Sequence, residues 1–253
     1  MKVRQSVKIN KKLHFIWVGD ESICPNNCIQ TWRDKHLEWE VKVWGNEELK
    51  NREWKNKFHI DAFMRTGQFC GAADLMRWEI LLDEGGVAID ADSICISSIP
   101  NWLLDCEVFS CWENELSRPG LVSNGFVGAR AGNDLIDYLV NSILVTKNVT
   151  DRFVWYKLKR KKQYAWKTTG PLAFTKAIKK KNYSNITILP SHFSIPNHYL
   201  GNCYTGRGLV ICSQLYNSTK GSNYNQLHKE SADTLINRQK YTNISEAFEQ
   251  KEE

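Results

Sequence analysis

Eight residues, Gly85-Gly86-Val87-Ala88-Ile89-Asp90-Ala91-Asp92, leave few architectures open. Before them, Gly71 to Glu84 reads as a helix with Ala72, Leu75, Met76, Ile80 and Leu82 on or near one face. The glycine pair stands where a helix is expected to stop, because glycine tolerates the left-handed backbone of a C-terminal cap. Val87-Ala88-Ile89 then reads as a short buried strand that runs straight into two carboxylates. Side chains two apart on a strand share a face only while the strand stays regular. At a strand end, where the chain turns, both Asp90 and Asp92 can face one cleft.

The chain before this segment opens β-α-β-α. Lys12 to Val18 reads as a buried strand closed by Gly19-Asp20, and a helix starts at Pro25 with Cys28, Ile29, Trp32 and His36 at helical spacing. Trp39 to Trp44 alternates as a half-buried strand, and a polar helix follows through Trp54. This is the opening of a parallel, nucleotide-binding type of sheet. Further strands are expected at Ser93–Ile99, Glu107–Trp112, Gly125–Ala129, Ile186–Leu189 and Leu209–Ser213. Helices are expected at Asn133–Val145, within Pro171–Lys181, and in the charged tail after Lys229. No internal repeat or linker divides the chain, so 253 residues form one domain.

Composition excludes several classes. With 42% hydrophobic residues, 25% charged residues and 6 prolines the chain is neither disordered nor fibrous. No run approaches the roughly 18 apolar residues of a membrane span, and the basic start lacks the pattern of a signal peptide. The expectation is a cytoplasmic protein whose 8 cysteines are free thiols. Neither Cys24/Cys28 nor Cys106/Cys111 has the partners of a zinc module.

Hard divalent cations prefer oxygen ligands and bridge to substrate phosphates, so an Asp-x-Asp at a strand end can hold Mn²⁺ or Mg²⁺ against a diphosphate. On the preceding helix Asp74 and Arg77 lie three apart, on one face. They read either as a surface ion pair or as donor-site residues, Asp74 accepting sugar hydroxyls and Arg77 countering phosphate charge.

Ala73-Asp74-Leu75-x-Arg77 followed by Gly85-Gly86-Val87-x-Ile89-Asp90-Ala91-Asp92 resembles the sugar-binding Asp-x-Asp region of glycosyltransferase family 32. Leu13 to Gly19 is similar to the first strand of the related clostridial glucosylating toxins, and Thr169-Gly170-Pro171 resembles a further landmark. The resemblance covers roughly residues 12–220. It implies an α/β fold of GT-A type, a Rossmann-like mixed sheet flanked by helices. It also implies a UDP- or GDP-sugar donor, Mn²⁺ or Mg²⁺, and retention of anomeric configuration.

Carried over by position, Trp17 would stack on the nucleotide base, although it reads equally as a core tryptophan. Asp74, Arg77 and Asn124 would lie at the sugar, with Gly170 also on the donor side. Asp90 would meet ribose or a metal-bound water, and Asp92 would bind the metal. The implied division is a single domain over 1–230, with a nucleotide-sugar-binding half (1–130) and a basic acceptor-side half (131–230), then a charged tail (231–253).

The chain also departs from the family. Ala88 stands where a tyrosine is usual, and Ser213 to Lys220 lacks the family's His-rich strand and Ser-Trp. From Arg152 to Lys229 there is no Asp or Glu at all, so no late carboxylate can be a third metal ligand. Gln214, Asn217, Ser218, His192, His198 or water must serve, and Lys220 could contact the diphosphate directly.

That same stretch holds 14 of the 34 Lys and Arg, leaving 20 basic against 28 acidic residues elsewhere. Such asymmetry points to a polyanionic partner. Its densest part interleaves Trp155, Lys159, Arg160, Lys161, Lys162 and Trp166, cations for phosphates and rings for bases, although for any one short basic run a solvated face is the commoner reading. Three acceptors are consistent with it: hydroxymethylated DNA, a glycan intermediate at an anionic membrane, or a protein side chain. The resemblance favours the glycan, the charge favours DNA. A nucleic-acid-binding module without catalysis and a metal-dependent nucleotidyltransferase are the rival readings.

Overall fold

The computed structural model describes residues 8–154, 159–216 and 224–240. In chain order the elements are β1 (Lys12–Ile16), α1 (Asn26–Lys35), β2 (Glu40–Trp44), α2 (Asn46–Asn51), α3 (Lys57–Arg65) and α4 (Phe69–Glu84). Then come β3 (Gly86–Ile89), β4 (Ser93–Cys95), β5 (Val108–Asn114), β6 (Arg118–Val122), β7 (Phe126–Ala129) and α5 (Asp134–Leu144). The basic half adds β8 (Asp151–Val154), β9 (Lys159–Lys162), α6 (Ala165–Thr168), α7 (Pro171–Lys181), β10 (Ile186–Leu189), β11 (Cys212–Gln214), α8 (Tyr224–Leu227) and α9 (Ala232–Lys240).

Seven strands form one mixed sheet in the order β10-β5-β7-β3-β1-β2, with β6 paired to β5. β1 runs parallel to both β2 and β3, and β10 parallel to β5, while β7 is antiparallel to β3 and β5. The C-terminal ends of β1, β2, β3, β5 and β10 therefore share one edge with the N-terminal end of β7. Helices cover both faces. Leu13, Phe15, Val87 and Ile89 pack with Ile29 and Trp32 of α1, whereas Ile16 and Ala88 pack with Phe63, Trp78 and Leu135 of the opposite layer. This is the mixed α/β sheet that the GT-A expectation requires.

Helix α4 is the centre of the molecule. Nearly every residue from Gly71 to Leu82 is buried, polar ones included, so the one-sided pattern expected of it understates its burial. Buried Glu79 accepts from the backbone amides of Lys55 (2.7 Å) and Asn56 (2.8 Å), tying down the entry to α3. Gly85 (φ +65°) and Gly86 (φ +95°) close the helix in left-handed backbone. A Cβ on Gly85 would lie 2.6 Å from the amide nitrogen of Ala131, and one on Gly86 2.8 Å from the carbonyl of Lys12. Buried His14 accepts from Trp44 Nε1 (3.2 Å) through Nδ1, which leaves Nε2–H to donate to the Gly85 carbonyl (2.8 Å). Burial pushes this imidazole below its usual pKa, consistent with the neutral tautomer.

Local expectations differ from the structure in several places, the clearest being these. The polar helix after β2 stops at Asn51, and a separate α3 follows. The strand from Ser93 ends at Cys95, because Ile96 and Ser97 both turn their amides to the Ile211 carbonyl. β11 lies at Cys212–Gln214 rather than 209–213, set by its pairing with β4. The basic run, to which the sequence assigned no element, contributes the antiparallel hairpin β8–β9.

All eight cysteines are free thiols, and among the described residues no helix is long and apolar enough to cross a membrane.

Candidate active site

The shared strand edge gathers the acidic pair and its neighbours. Asp90 follows β3, and its amide donates to the Gly125 carbonyl (2.9 Å) just before β7. Arg77 is buried on α4 and donates one guanidinium nitrogen to the Asp90 carboxylate and another to the Asn124 carbonyl. Its Nη1 lies 3.8 Å from Asp74 Oδ1, and its Nε has no hydrogen-bond partner. The surface ion-pair reading of Asp74 and Arg77 therefore fails, since both are buried.

Asp74 accepts from Asn124 Nδ2 (2.7 Å) and from the Thr169 hydroxyl (3.3 Å). Burial pushes its carboxyl up to about 7, with the Asp90 charge adding to the rise and Arg77, Asn124 and Thr169 opposing it. Thr169 is held in place where Trp78 Nε1 donates to its carbonyl (2.8 Å). Gly170 follows as the residue before α7, where a Cβ would stand 2.9 Å from Asp74 Oδ2.

The pair is enclosed from the C-terminal side. Leu215 donates its amide to the Asp92 carbonyl (3.2 Å), and Gln214 Nε2 donates to the Gly125 carbonyl (3.2 Å). A Cβ on Gly125 would meet Asp90 Oδ2 at 2.6 Å and Gln214 Nε2 at 2.9 Å, so these groups flank one small space. Tyr224 donates its hydroxyl to Asp92 Oδ2 (3.3 Å) and sets its ring edge-on to Trp17, 4.9 Å between centroids. Trp17 is half-buried at the end of β1, beside an open groove of about 300 Å³ lined by Glu21, Asn26, Val43 and Glu47. Asp90 and Asp92 do not line that groove.

The residues present fit a hard divalent cation. Two carboxylates lie one residue apart at a strand end, the Asp90 side chain is partly exposed, and the Gln214 amide adjoins it. Among the described residues no group of three or more His, Cys, Asp or Glu gathers as a ligand cluster. His192 instead stacks on Tyr204 (4.0 Å), and His198 faces Glu113 at 3.8 Å.

Residues 25–109, which contain α4, β3 and the acidic pair, match the family model described as the glycosyltransferase sugar-binding region containing the DXD motif. This segment is similar to a glycosyltransferase sugar-binding region. Asp90-Ala91-Asp92 is the one Asp-x-Asp within the matched residues.

Among curated proteins the chain is 24% identical over 178 residues to the subversion of eukaryotic traffic protein A of Legionella pneumophila, covering 59% of this chain and 27% of that one. It is 23% identical over 146 residues to an uncharacterized glycosyltransferase, L373, of Acanthamoeba polyphaga mimivirus, covering 54% and 56%. The chain thus spans about a quarter and about half of the lengths of these two relatives. Solved structures similar to it include the UDP-bound glycosyltransferase domain of the YGT toxin (10% identity, TM-score 0.48, 72% and 80% covered). The galactosyltransferase LgtC in complex with donor and acceptor sugar analogs is another (11% identity, TM-score 0.43, 86% and 95% covered).

Of the residues singled out in the sequence, the structure brings Asp74, Arg77, Asp90, Asn124 and Gly170 into one connected set, with Asp92 and Gln214 beside it and Trp17 reached through Tyr224. Trp155, Asn217 and Lys220 lie outside the described residues, as do the side chains of Lys159 and Arg160. Lys161 and Lys162 are exposed on β9, and Trp166 is exposed on α6. Gly125 and Tyr224 were missed as site residues. Gly125 carried a signal in its place directly after Asn124, but nothing local marks Tyr224.

Proposed function

We propose that the protein is a metal-dependent, retaining glycosyltransferase that moves a sugar from a UDP- or GDP-sugar to an acceptor hydroxyl. The observation that carries this reading is the buried Asp74–Asn124–Arg77–Asp90 network at the end of β3, inside the glycosyltransferase sugar-binding region. A binding module would not need a buried carboxylate pushed up to about 7 beside a paired one. The sugar-binding region likewise speaks for a glycosyl transferase over a nucleotidyltransferase.

Asp92 and Asp90 would hold Mn²⁺ or Mg²⁺, with Gln214, Asn217 or water completing the shell. When bound, the ion neutralises the diphosphate as it leaves. Arg77 holds the Asp90 carboxylate in place and keeps positive charge beneath the site. Asp74 offers its oxygens to the sugar hydroxyls, with Asn124 and Thr169 fixing their direction and Gly170 leaving room for close approach. Trp17 would take the base, with Tyr224 forming part of the same wall in place of the tyrosine absent at Ala88. Lys220 would reach the diphosphate.

The acceptor we favour is a glycan intermediate; the basic half, with Trp155, Lys159, Arg160, Lys161, Lys162 and Trp166, lies on the acceptor side. The same basic half supports a second acceptor, a hydroxymethylated base in DNA.

The test is donor hydrolysis by purified protein with Mn²⁺, across UDP- and GDP-sugars, with and without hydroxymethylated DNA. Metal-dependent release of a nucleoside diphosphate supports the transferase, and stimulation by that DNA assigns the second acceptor. Absence of release from every donor overturns the reading.

A further inference from the structure

We propose that a patch of exposed apolar side chains set among lysines, beside the sugar-binding carboxylate, docks the protein on an anionic lipid bilayer. Leu116 stands 81% exposed in the turn between β5 and β6, and Leu200 is 54% exposed in the loop after β10. Arg118 joins them into one surface. It donates to the Tyr199 hydroxyl (2.7 Å), next to Leu200, and its guanidinium lies 5.8 Å from the Trp166 ring. Asn202 closes the same seam by donating to Asn114 (3.3 Å) and to the Ser117 hydroxyl. Trp166 and Tyr164 add exposed rings, with Lys167 Nζ at 4.9 Å from the first ring and Lys162 Nζ at 6.0 Å from the second.

The mixture of side chains selects the partner. Cations and rings would suit either a nucleic acid or a membrane, since bases stack on aromatics and phosphates pair with lysines. Isolated aliphatic tips gain nothing from phosphates. In a bilayer they enter the acyl boundary, while Trp and Tyr sit at headgroup level and Lys meets anionic lipid. The acid-free stretch from Arg152 to Lys229 includes β9, α6 and the Leu200 loop, so charge complementarity extends beyond the patch. Its neighbouring carboxylate, Glu115, is engaged with Ser191.

The position relative to the cleft gives docking a use. The Trp166 Cα lies 3.0 Å from where a Cβ on Gly170 would stand, and Gly170 abuts Asp74. A bilayer on this patch would lie beside the sugar site and present it to an acceptor held in lipid. That last step rests on the proposed transferase activity; the docking itself does not.

The test is sedimentation of the full chain with vesicles of phosphatidylcholine alone and of phosphatidylcholine mixed with phosphatidylserine, alongside donor hydrolysis in solution. Binding is expected to the mixed vesicles only. Leu116→Ser with Leu200→Ser should weaken partitioning about tenfold without changing donor hydrolysis. Lys162→Ala with Lys167→Ala should weaken it roughly 25-fold and flatten its salt dependence. No binding to mixed vesicles, or binding that the leucine substitutions leave unchanged, overturns the proposal. Binding to duplex DNA in its stead assigns the patch to nucleic acid. Loss of hydrolysis in the unsubstituted protein would sink the transferase reading while leaving the docking result standing.

Discussion

At the scale of single residues, the site depends on carboxylates held in unlike surroundings. Asp90 is partly exposed and paired with Arg77, whereas Asp74 is buried and pushed up to about 7. An unfolded aspartate titrates near 3.9, so between about pH 4 and 7 the folded state binds more protons at Asp74 than the unfolded state does. Stability from this group is therefore lost as pH rises through that window and is flat above it. Urea unfolding of the donor-free protein at pH 5 and 7.5 should show a loss of roughly 2 kcal/mol that Asp74→Asn abolishes. An unchanged slope in the variant would remove the assignment.

Under the proposed metal role, Asp92→Ala should lower transfer by at least about 100-fold while the fold is retained, read by circular dichroism. Normal turnover would sink the metal role. Gly125→Ala sets a methyl 2.6 Å from Asp90 Oδ2. Displacing that carboxylate should cut kcat about tenfold or more, read against unchanged circular dichroism.

At the scale of elements, the helix-to-strand turn places the acidic pair. Gly85 adopts φ +65° and faces backbone atoms of Ala131, which cannot swing aside as a side chain would. Gly85→Ala should destabilise by about 2–4 kcal/mol, seen as a lower urea midpoint at unchanged m-value. A shift below about 0.5 kcal/mol would mean that the turn yields freely. α4 contributes in a second way. Asp74, Arg77 and Glu79 are buried on one helix because α3, α5, α6 and the sheet surround it, which no single amphipathic stripe foretells.

At the scale of the whole molecule, the chain returns to its beginning to close the site. Asn27, near the start of α1, donates from Nδ2 to the carbonyls of Leu227 (2.7 Å) and Glu230 (2.8 Å). Leu227 and Leu235 pack with Cys28 and Ile94 beneath. This clasp holds Tyr224 between Trp17 and Asp92. Asn27→Ala should remove about 1–2 kcal/mol locally, exposing residues 224–240 to faster proteolysis and raising the donor KM at constant kcat. Equal proteolysis in both proteins would show that the clasp contributes little.

The local pattern was enough for much of this protein. The run of helix, double glycine, short strand and Asp-x-Asp follows from short-range rules of capping, burial and strand ends, and it appears as α4, β3 and the acidic pair. The β-α-β-α opening likewise follows from periodicity within about a dozen residues. The sheet order, the pairing of β5 with β10, β7 and β6, and the hairpin in the basic run are settled by pairing between segments. The fine structure of the site was decided there too. Asp74 meets Asn124 and Thr169, which are 50 and 95 residues away, and Asp92 meets Tyr224 at a separation of 132. Sequence states which groups a chain carries, and its periodicity states which faces they share. Burial, proton affinity and contact depend on what the rest of the chain brings against those faces, and only tertiary packing determines that.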